Sequence, residues 1–135
     1  MGDLGMVRDW GAARQYVEWM HKLLSNGMPG EYVFGSGVNS TVESYLYAAC
    51  RALEVEIEKD ISQANLGITR YMQKNSNKLI ATADIRNFAA NRFSYGPADR
   101  GKLEEAIGPQ NSVPIEVIAE EMTSFELLRL SRSSI

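Results

Sequence analysis

The sequence predicts an α/β or α+β fold, predominantly helical, with about five helices and two or three short strands. Three observations lead there. Long stretches carry apolar residues at helical spacing, notably 12–25, 40–53 and 114–130. Runs rich in strand-forming residues are few and only about five residues long, at 31–35 and 79–83. Glycine, proline and asparagine clusters separate the two kinds of segment.

The first six residues contain two glycines and no periodic pattern, so an irregular or extended lead-in is expected. A helix follows from Ala12 to Ser25, with Ala13, Tyr16, Val17, Met20, Leu23 and Leu24 on one face. Asn26 and Gly27 stop it, because both accept the left-handed cap conformation. Glu31 to Gly35 is expected as a short strand, broken by Gly35-Ser36-Gly37.

Ser40 and Glu43 have the spacing of a capping box and start a second helix. Its predicted buried face is Val42, Tyr45, Leu46, Ala49, Cys50 and Leu53. Val55-Glu56-Ile57-Glu58 alternates apolar and charged, which fits a short strand or an extended helix end. A third helix is expected from Ile61 to Gln73, although Gly67 inside it costs about 1 kcal/mol relative to alanine. Asn75-Ser76-Asn77 is a turn, and Leu79 to Ala83 a strand. A short helix should span Asp99 to Ile107, capped by Asp99 and stopped by Gly108. Pro114 suits the first turn of a last helix, striped by Ile115, Ile118, Ala119, Met122, Phe125 and Leu128.

With 135 residues the chain is expected to be one domain, 1–135, able to bury roughly two-thirds of its unfolded surface. The net charge of −3 and the scattered lysines and arginines argue against a nucleic-acid partner. A single cysteine, Cys50, excludes an internal disulfide and a thiolate zinc site. No apolar run is long enough to span a membrane, and the amino terminus lacks a signal-peptide pattern. A cytoplasmic location is therefore the default expectation. His21 has no nucleophile beside it in sequence, and the acidic cluster Glu54, Glu56, Glu58 and Asp60 fits a solvated face better than a metal site. Gly35-Ser36-Gly37 lies between a predicted strand and a predicted helix, but Ser40 stands where a dinucleotide fingerprint needs its third glycine.

Arg8-Asp9-Trp10-Gly11-Ala12-Ala13-Arg14-Gln15-Tyr16-Val17-Glu18-Trp19-Met20 resembles a segment of the GDP-mannose 4,6-dehydratases, extended short-chain dehydrogenases/reductases that act on nucleotide sugars. Glu31 to Gly37, Ser40 to Tyr45 and Asp99 to Gly108 are similar to later blocks of the same family, in the same order. The resemblance implies the carboxy-terminal, substrate-binding portion of such an enzyme. The cofactor loop and the catalytic tyrosine and lysine, spaced four apart, would lie upstream. Tyr71 and Lys74 are three apart and do not match that pair. The resemblance thus implies no catalytic residue and no cofactor in this chain, with NAD(P) implied only for a full-length relative.

Arg8 matches an arginine that helps hold the nucleotide diphosphate, and a guanidinium fork suits that task. A salt bridge to Asp9 or a later carboxylate is the competing expectation for it. Glu43 stands where the family has an arginine. A family Arg-Pro-Ala-Glu segment that binds the nucleotide has no full counterpart, although Arg86 and Arg92 fall in that region. The expected substrate-binding residues are therefore Arg8, Arg86 and Arg92, and the expected ligand is a nucleotide sugar. The alternative is a non-enzymatic helical interaction module that self-associates; a homo-oligomer is expected on either reading. A small-ligand-binding protein unrelated to sugars is a third option.

Overall fold

A computed structural model describes residues 1–26, 29–87 and 96–132. In chain order it contains β1 (Val7–Asp9), α1 (Ala13–Ser25), β2 (Asn39–Thr41), α2 (Val42–Ala52), β3 (Ile57–Asp60), β4 (Ile68–Gln73), β5 (Leu79–Asp84), α3 (Gly101–Ile107) and α4 (Ile115–Arg132). Short 3-10 turns occupy Ala64–Leu66 and Ile85–Asn87. β1 and β2 form an antiparallel ribbon, and β3, β4 and β5 an antiparallel meander with β4 in the centre. Among the described residues no helix is long and apolar enough to cross a membrane.

This corrects the expected fold class. The described residues hold four α-helices and five strands in two sheets, so the chain is a mixed α/β structure and not a predominantly helical one. Most of the difference lies in 61–73, predicted as one helix. Gly67 there adopts φ +76, a left-handed conformation that ends the 3-10 turn and redirects the chain into β4. A side chain at that position would meet Ile85 Cγ1 at 2.7 Å. Beyond Gly67 the residues Ile68-Thr69-Arg70-Tyr71 favour a strand, and pairing on both sides completes it.

The predicted strand 31–35 is also corrected: its residues take up no ladder. A strand propensity without a neighbouring edge has nothing to pair with. β1 and β2 went unpredicted because each is three residues long, too short for an alternation to show. The strand or helix end foreseen at 55–58 is strand β3, displaced to Ile57–Asp60, and the predicted strand at 79–83 is β5.

The core brings Leu4, Cys50, Ile57, Tyr71 and Ala83 together, with Val42, Leu46, Tyr47, Val55, Ile80 and Ala81 around them. It is thus α2 laid on the meander, with the amino-terminal segment tucked beneath. Leu4 and Met6 are buried, so the lead-in is part of the core. Thr41 caps α2, its hydroxyl accepting from the Ser44 N–H at 3.0 Å; Ser40, the predicted cap, belongs to β2.

Glu43 is therefore released from capping. It accepts from the Tyr71 hydroxyl at 2.7 Å and pairs with Lys59 at 2.7 Å, joining α2 to β3 and β4. Burial pushes the Glu43 carboxyl up, and the Lys59 and Tyr71 hydrogen bonds outweigh it, leaving it below its ordinary value.

α1 turns a different face inward from the one predicted. Trp19 is the buried residue, 2% exposed, whereas Val17, Met20 and Leu24 are 62%, 44% and 81% exposed. Burying one such ring contributes on the order of 2–3 kcal/mol, which fixes the orientation of the helix. In α4 only the early part of the predicted stripe is covered, at Ile115, Ile118 and Ala119; Met122, Phe125 and Leu128 face solvent.

Two charged side chains tie the remaining segments down. The Asp9 carboxylate accepts backbone N–H bonds from Ser36 at 2.7 Å, Gly37 at 2.9 Å and Ala98 at 2.9 Å. Arg100 donates to the Ser36 carbonyl at 2.6 Å, the Ser112 hydroxyl at 2.9 Å and the Gln110 carbonyl at 2.7 Å. It also pairs with Glu104 at 2.9 Å and lies over the Trp19 ring, 5.7 Å from its centroid. Ser36, 1% exposed, thereby has its carbonyl, amide and hydroxyl all partnered, as a buried polar residue requires. Gly35 is a glycine for the same reason of closeness, since a Cβ there would sit 2.1 Å from the Ala98 Cβ.

Burial pushes the Asp9 carboxyl up, but the hydrogen bonds from Ala98, Ser36 and Gly37 together outweigh it and hold it below its ordinary value. Its stabilising contribution is therefore complete above the unfolded carboxylate pKa, and is lost as pH falls through the lowered folded one. Asp9→Ala, which strands three amide donors, is expected to destabilise the fold by on the order of 3 kcal/mol in urea melts. The same variant should show a flatter fall in stability between about pH 5 and pH 2; equal acid sensitivity of the two proteins would count against the assignment. Gly35→Ala is expected to cost about 1–3 kcal/mol through overpacking, and adding Ala98→Gly should restore part of it in the same melts.

Candidate functional site

The site grows from the β1–β2 ribbon. Its register sets Arg8 opposite Ser40, with Val7 opposite Thr41 and Asp9 opposite Asn39. Directly opposed residues share a face of the ribbon, so Arg8 and Ser40 lie on one side and Asp9 and Asn39 on the other. The Asp9 side is the clasp described above.

Trp10 follows β1. Its indole N–H donates to the Ser40 carbonyl at 3.1 Å, and its ring stacks on Tyr45 at 5.2 Å with planes 8° apart. Trp10, Val38 and Ser40 then form one wall of a cavity of about 310 Å³, closed on the other side by Ser112 to Glu116 ahead of and into α4. A larger cavity, about 470 Å³, lies at the far end of α2 between Tyr47, Arg51 and Lys74, away from the ribbon. The larger cavity carries Glu54 and Glu56 beside its cations, whereas the lining of the smaller one includes the segment that follows Arg8 and the chain leading into α4.

Arg8 is half-buried, and its Nη1 donates to the neighbouring Val7 carbonyl at 2.7 Å. The expected salt bridge to Asp9 is not made, since Asp9 is directed at the backbone of Ser36, Gly37 and Ala98. Among the described residues the Val7 carbonyl is the acceptor found for this guanidinium, which has five N–H donors in all.

Arg86 stands elsewhere, in the 3-10 turn after β5. Its Nε and Nη2 grip both oxygens of Asp84, at 2.9 and 2.7 Å. The Arg86 side chain is the main reason that the Asp84 carboxyl is lowered to about 2. Arg8 thus lies on the ribbon and Arg86 just beyond the last strand of the meander, and the fork of Arg86 is already occupied. Arg92 lies outside the described residues.

The Gly35-Ser36-Gly37 loop has its amides spent. The Ser36 and Gly37 N–H groups that could cradle a phosphate both point at Asp9, so the loop already holds an anion belonging to the chain. Tyr71 and Lys74 do not form a proton relay. Burial, together with the Glu43 hydrogen bond, pushes the Tyr71 phenol well above its ordinary value, and Lys74 pairs with Glu56 at 3.2 Å. Burial also pushes the Cys50 thiol up, which leaves it protonated at neutral pH and a poor nucleophile. His21 is exposed on α1.

Asp9 and Arg100 are the organising residues that sequence reasoning passed over. The sequence held one part of the signal for Asp9, a Gly-Ser-Gly loop able to supply amides; the strand that aims Asp9 at it was too short to read. Arg100 carried none, because its partners at Trp19, Ser36, Gln110 and Ser112 are scattered along the chain.

Comparison with known proteins agrees with the arrangement of blocks along the chain. The family model described as GDP-mannose 4,6 dehydratase matches residues 1–122. GDP-mannose 4,6-dehydratase of Sinorhizobium fredii (strain HH103) is 27% identical over 128 residues, 94% of this chain and 35% of that protein. The Yersinia enterocolitica protein of the same name is 25% identical over 134 residues, 94% of this chain and 36% of its own length. GDP-mannose 4,6 dehydratase of Homo sapiens is 24% identical over 131 residues, 96% of this chain and 34% of its own. The chain spans about a third of the length of these relatives. The match runs from the first residue into the first half of α4 and takes in the ribbon, both clasping residues, the meander and α3: the chain belongs to the GDP-mannose 4,6-dehydratase family.

Proposed function

We propose that this chain is the nucleotide-sugar-binding portion of a GDP-mannose 4,6-dehydratase-like enzyme, catalytically incomplete without a dinucleotide-binding half. The observation that carries the reading is Arg8. It lies inside the family match, on a ribbon clamped from behind by Asp9, with a carbonyl as its hydrogen-bond partner. A diphosphate offers that guanidinium two parallel acceptors, and displacing one neighbouring carbonyl costs little beside them. The cavity walled by Trp10 gives room for an attached group. Arg86 contributes only if Asp84 releases it. A nicotinamide cofactor belongs to the other half on this reading, since the amides of Ser36 and Gly37 are taken and no glycine-rich fingerprint stands in the sequence.

One observation favours the second reading, a self-associating helical module: Val17, Met20 and Leu24 form an exposed apolar stripe along α1.

Titration calorimetry with GDP-mannose separates the two. The unaltered chain is expected to bind, and Arg8→Ala to bind about ten- to a hundredfold more weakly, the equivalent of losing about 1.5–3 kcal/mol of charged hydrogen bonding. Arg8→Lys should recover part of the loss, because it keeps the charge but not the fork. Absence of heat at millimolar ligand sinks the binding reading, and equal affinity of Arg8→Ala removes Arg8 from it. In parallel, the chain mixed with GDP-mannose and NADP is expected to give no dehydrated product by chromatography; product formation would show that the chain is catalytically complete.

A further inference from the structure

The outer face of α4 bears a pattern that neither the core nor the ribbon uses. Glu121, Phe125, Leu128 and Arg132 follow one another at intervals of four, three and four residues, so they form one narrow stripe along the helix. The stripe lies roughly a quarter turn around the axis from Ile115, Ile118 and Ala119, the residues that α4 buries against the body. Phe125 is 66% and Leu128 59% exposed, and the Glu121 side chain is 48% exposed. Phe125, Leu128, Arg129 and Arg132 border a groove of about 350 Å³.

We propose that this stripe is a two-fold interface in which α4 of one copy lies antiparallel against α4 of a second. The order of the residues is what selects a second copy as the occupant. The stripe runs acid, apolar, apolar, base, and reversing it end for end gives its own complement. An antiparallel pair centred between Glu126 and Leu127 sets Glu121 against the partner's Arg132 and Phe125 against the partner's Leu128. The two-fold axis then repeats both contacts in the other direction. A parallel pair would instead oppose like charges at both ends, which costs affinity. Arg14 holds Glu121 at 2.6 Å, but that pair is largely solvent-exposed and is worth little, so Glu121 can turn to a partner arginine or be shared. Arg129 sits beside the stripe and is paired with Glu126 at 2.8 Å.

The seam is also what the end of α4 lacks. From Glu120 to Arg132 only Thr123 is even half-buried, and an isolated helical segment of that length is marginal in water. A contact of two apolar layers between two charged ones is small, so the association belongs to the weak class of interfaces, with a Kd on the order of 100 µM. The inference is independent of nucleotide-sugar binding, since none of the four residues lies on the ribbon.

Sedimentation velocity over about 10 µM to 1 mM at low salt tests it on the intact chain. The mass of the unaltered protein should rise toward a dimer. Phe125→Asp should remain a monomer. Glu121→Arg and Arg132→Glu should each weaken association about tenfold, and the double variant should return to within about threefold of the original, because it restores both cross pairs. Glu121→Arg also breaks the Arg14 contact, so Arg14→Ala serves as the control and should leave the dimer intact. All five changes are on exposed side chains, and circular dichroism confirms that each variant is folded. A monomer at every concentration overturns the proposal. So does a dimer indifferent to Phe125→Asp, or a double variant no better than the singles. A dimer abolished by Val17→Asp but not by Phe125→Asp would overturn it in favour of the α1 stripe.

Discussion

The structure depends on a carboxylate that has been taken out of the electrostatics of the surface and given to the backbone. Asp9 receives three amides from two separate loops, and in doing so it joins β1 to the chain on both sides of the meander. Arg100 completes the junction from the opposite direction, supplying donors to carbonyls where Asp9 supplies an acceptor to amides. Loop backbone inside a protein is stable only when its polar groups are partnered. These two side chains allow 35–38 and 110–112 to pack without belonging to a helix or strand. Gly35 then meets Ala98 so closely that a side chain at Gly35 would force a shift.

The same junction bears on ligand binding. A Gly-Ser-Gly loop before a helix is a shape associated with phosphate, and here the phosphate's place is filled by Asp9. An anion finds the Ser36 and Gly37 amides already taken, which is why Arg8, on the other face of the same ribbon, carries the reading. The ribbon therefore separates two electrostatic tasks. One face holds the fold with a partly buried carboxylate, and the other carries the Arg8 guanidinium.

Much of the helical part was legible in the sequence. α1, α3 and α4 lie within two residues of their expected spans, although Arg100 and not Asp99 precedes α3, and Asn26 after α1 is right-handed and not left-handed. Local signals suffice for elements whose hydrogen bonds are local. The strands were harder, because a strand needs an edge that the sequence does not name. Ile61 to Gln73 carried a helical pattern interrupted by Gly67, and pairing with β3 and β5 decides 68–73 as a strand. Tyr32-Val33-Phe34 had the better propensity and found no edge. Which apolar face turns inward was likewise misjudged in α1, where the count of aliphatic residues pointed one way and Trp19, stacked under Arg100, settled it the other way. Of the candidate site, the family motif around Arg8 was legible, since the family match takes it in. The diversion of Arg86 onto Asp84 and of Glu43 onto Tyr71 and Lys59 was not, since each depends on what stands across a sheet.

The span of the Asp9 clasp has a consequence for how the chain is made. Ser36 and Gly37 follow Asp9 by 27 and 28 residues, but Ala98 follows it by 89. Chains emerge amino terminus first, so two of the three donors reach Asp9 early, and the third is not yet synthesised while α2 and the whole meander already are. Through that interval Gly35 also lacks the methyl group that later covers it. The nascent domain thus holds its sheet and its main core before its loops are fastened, and the fastening waits on a residue near the start of α3.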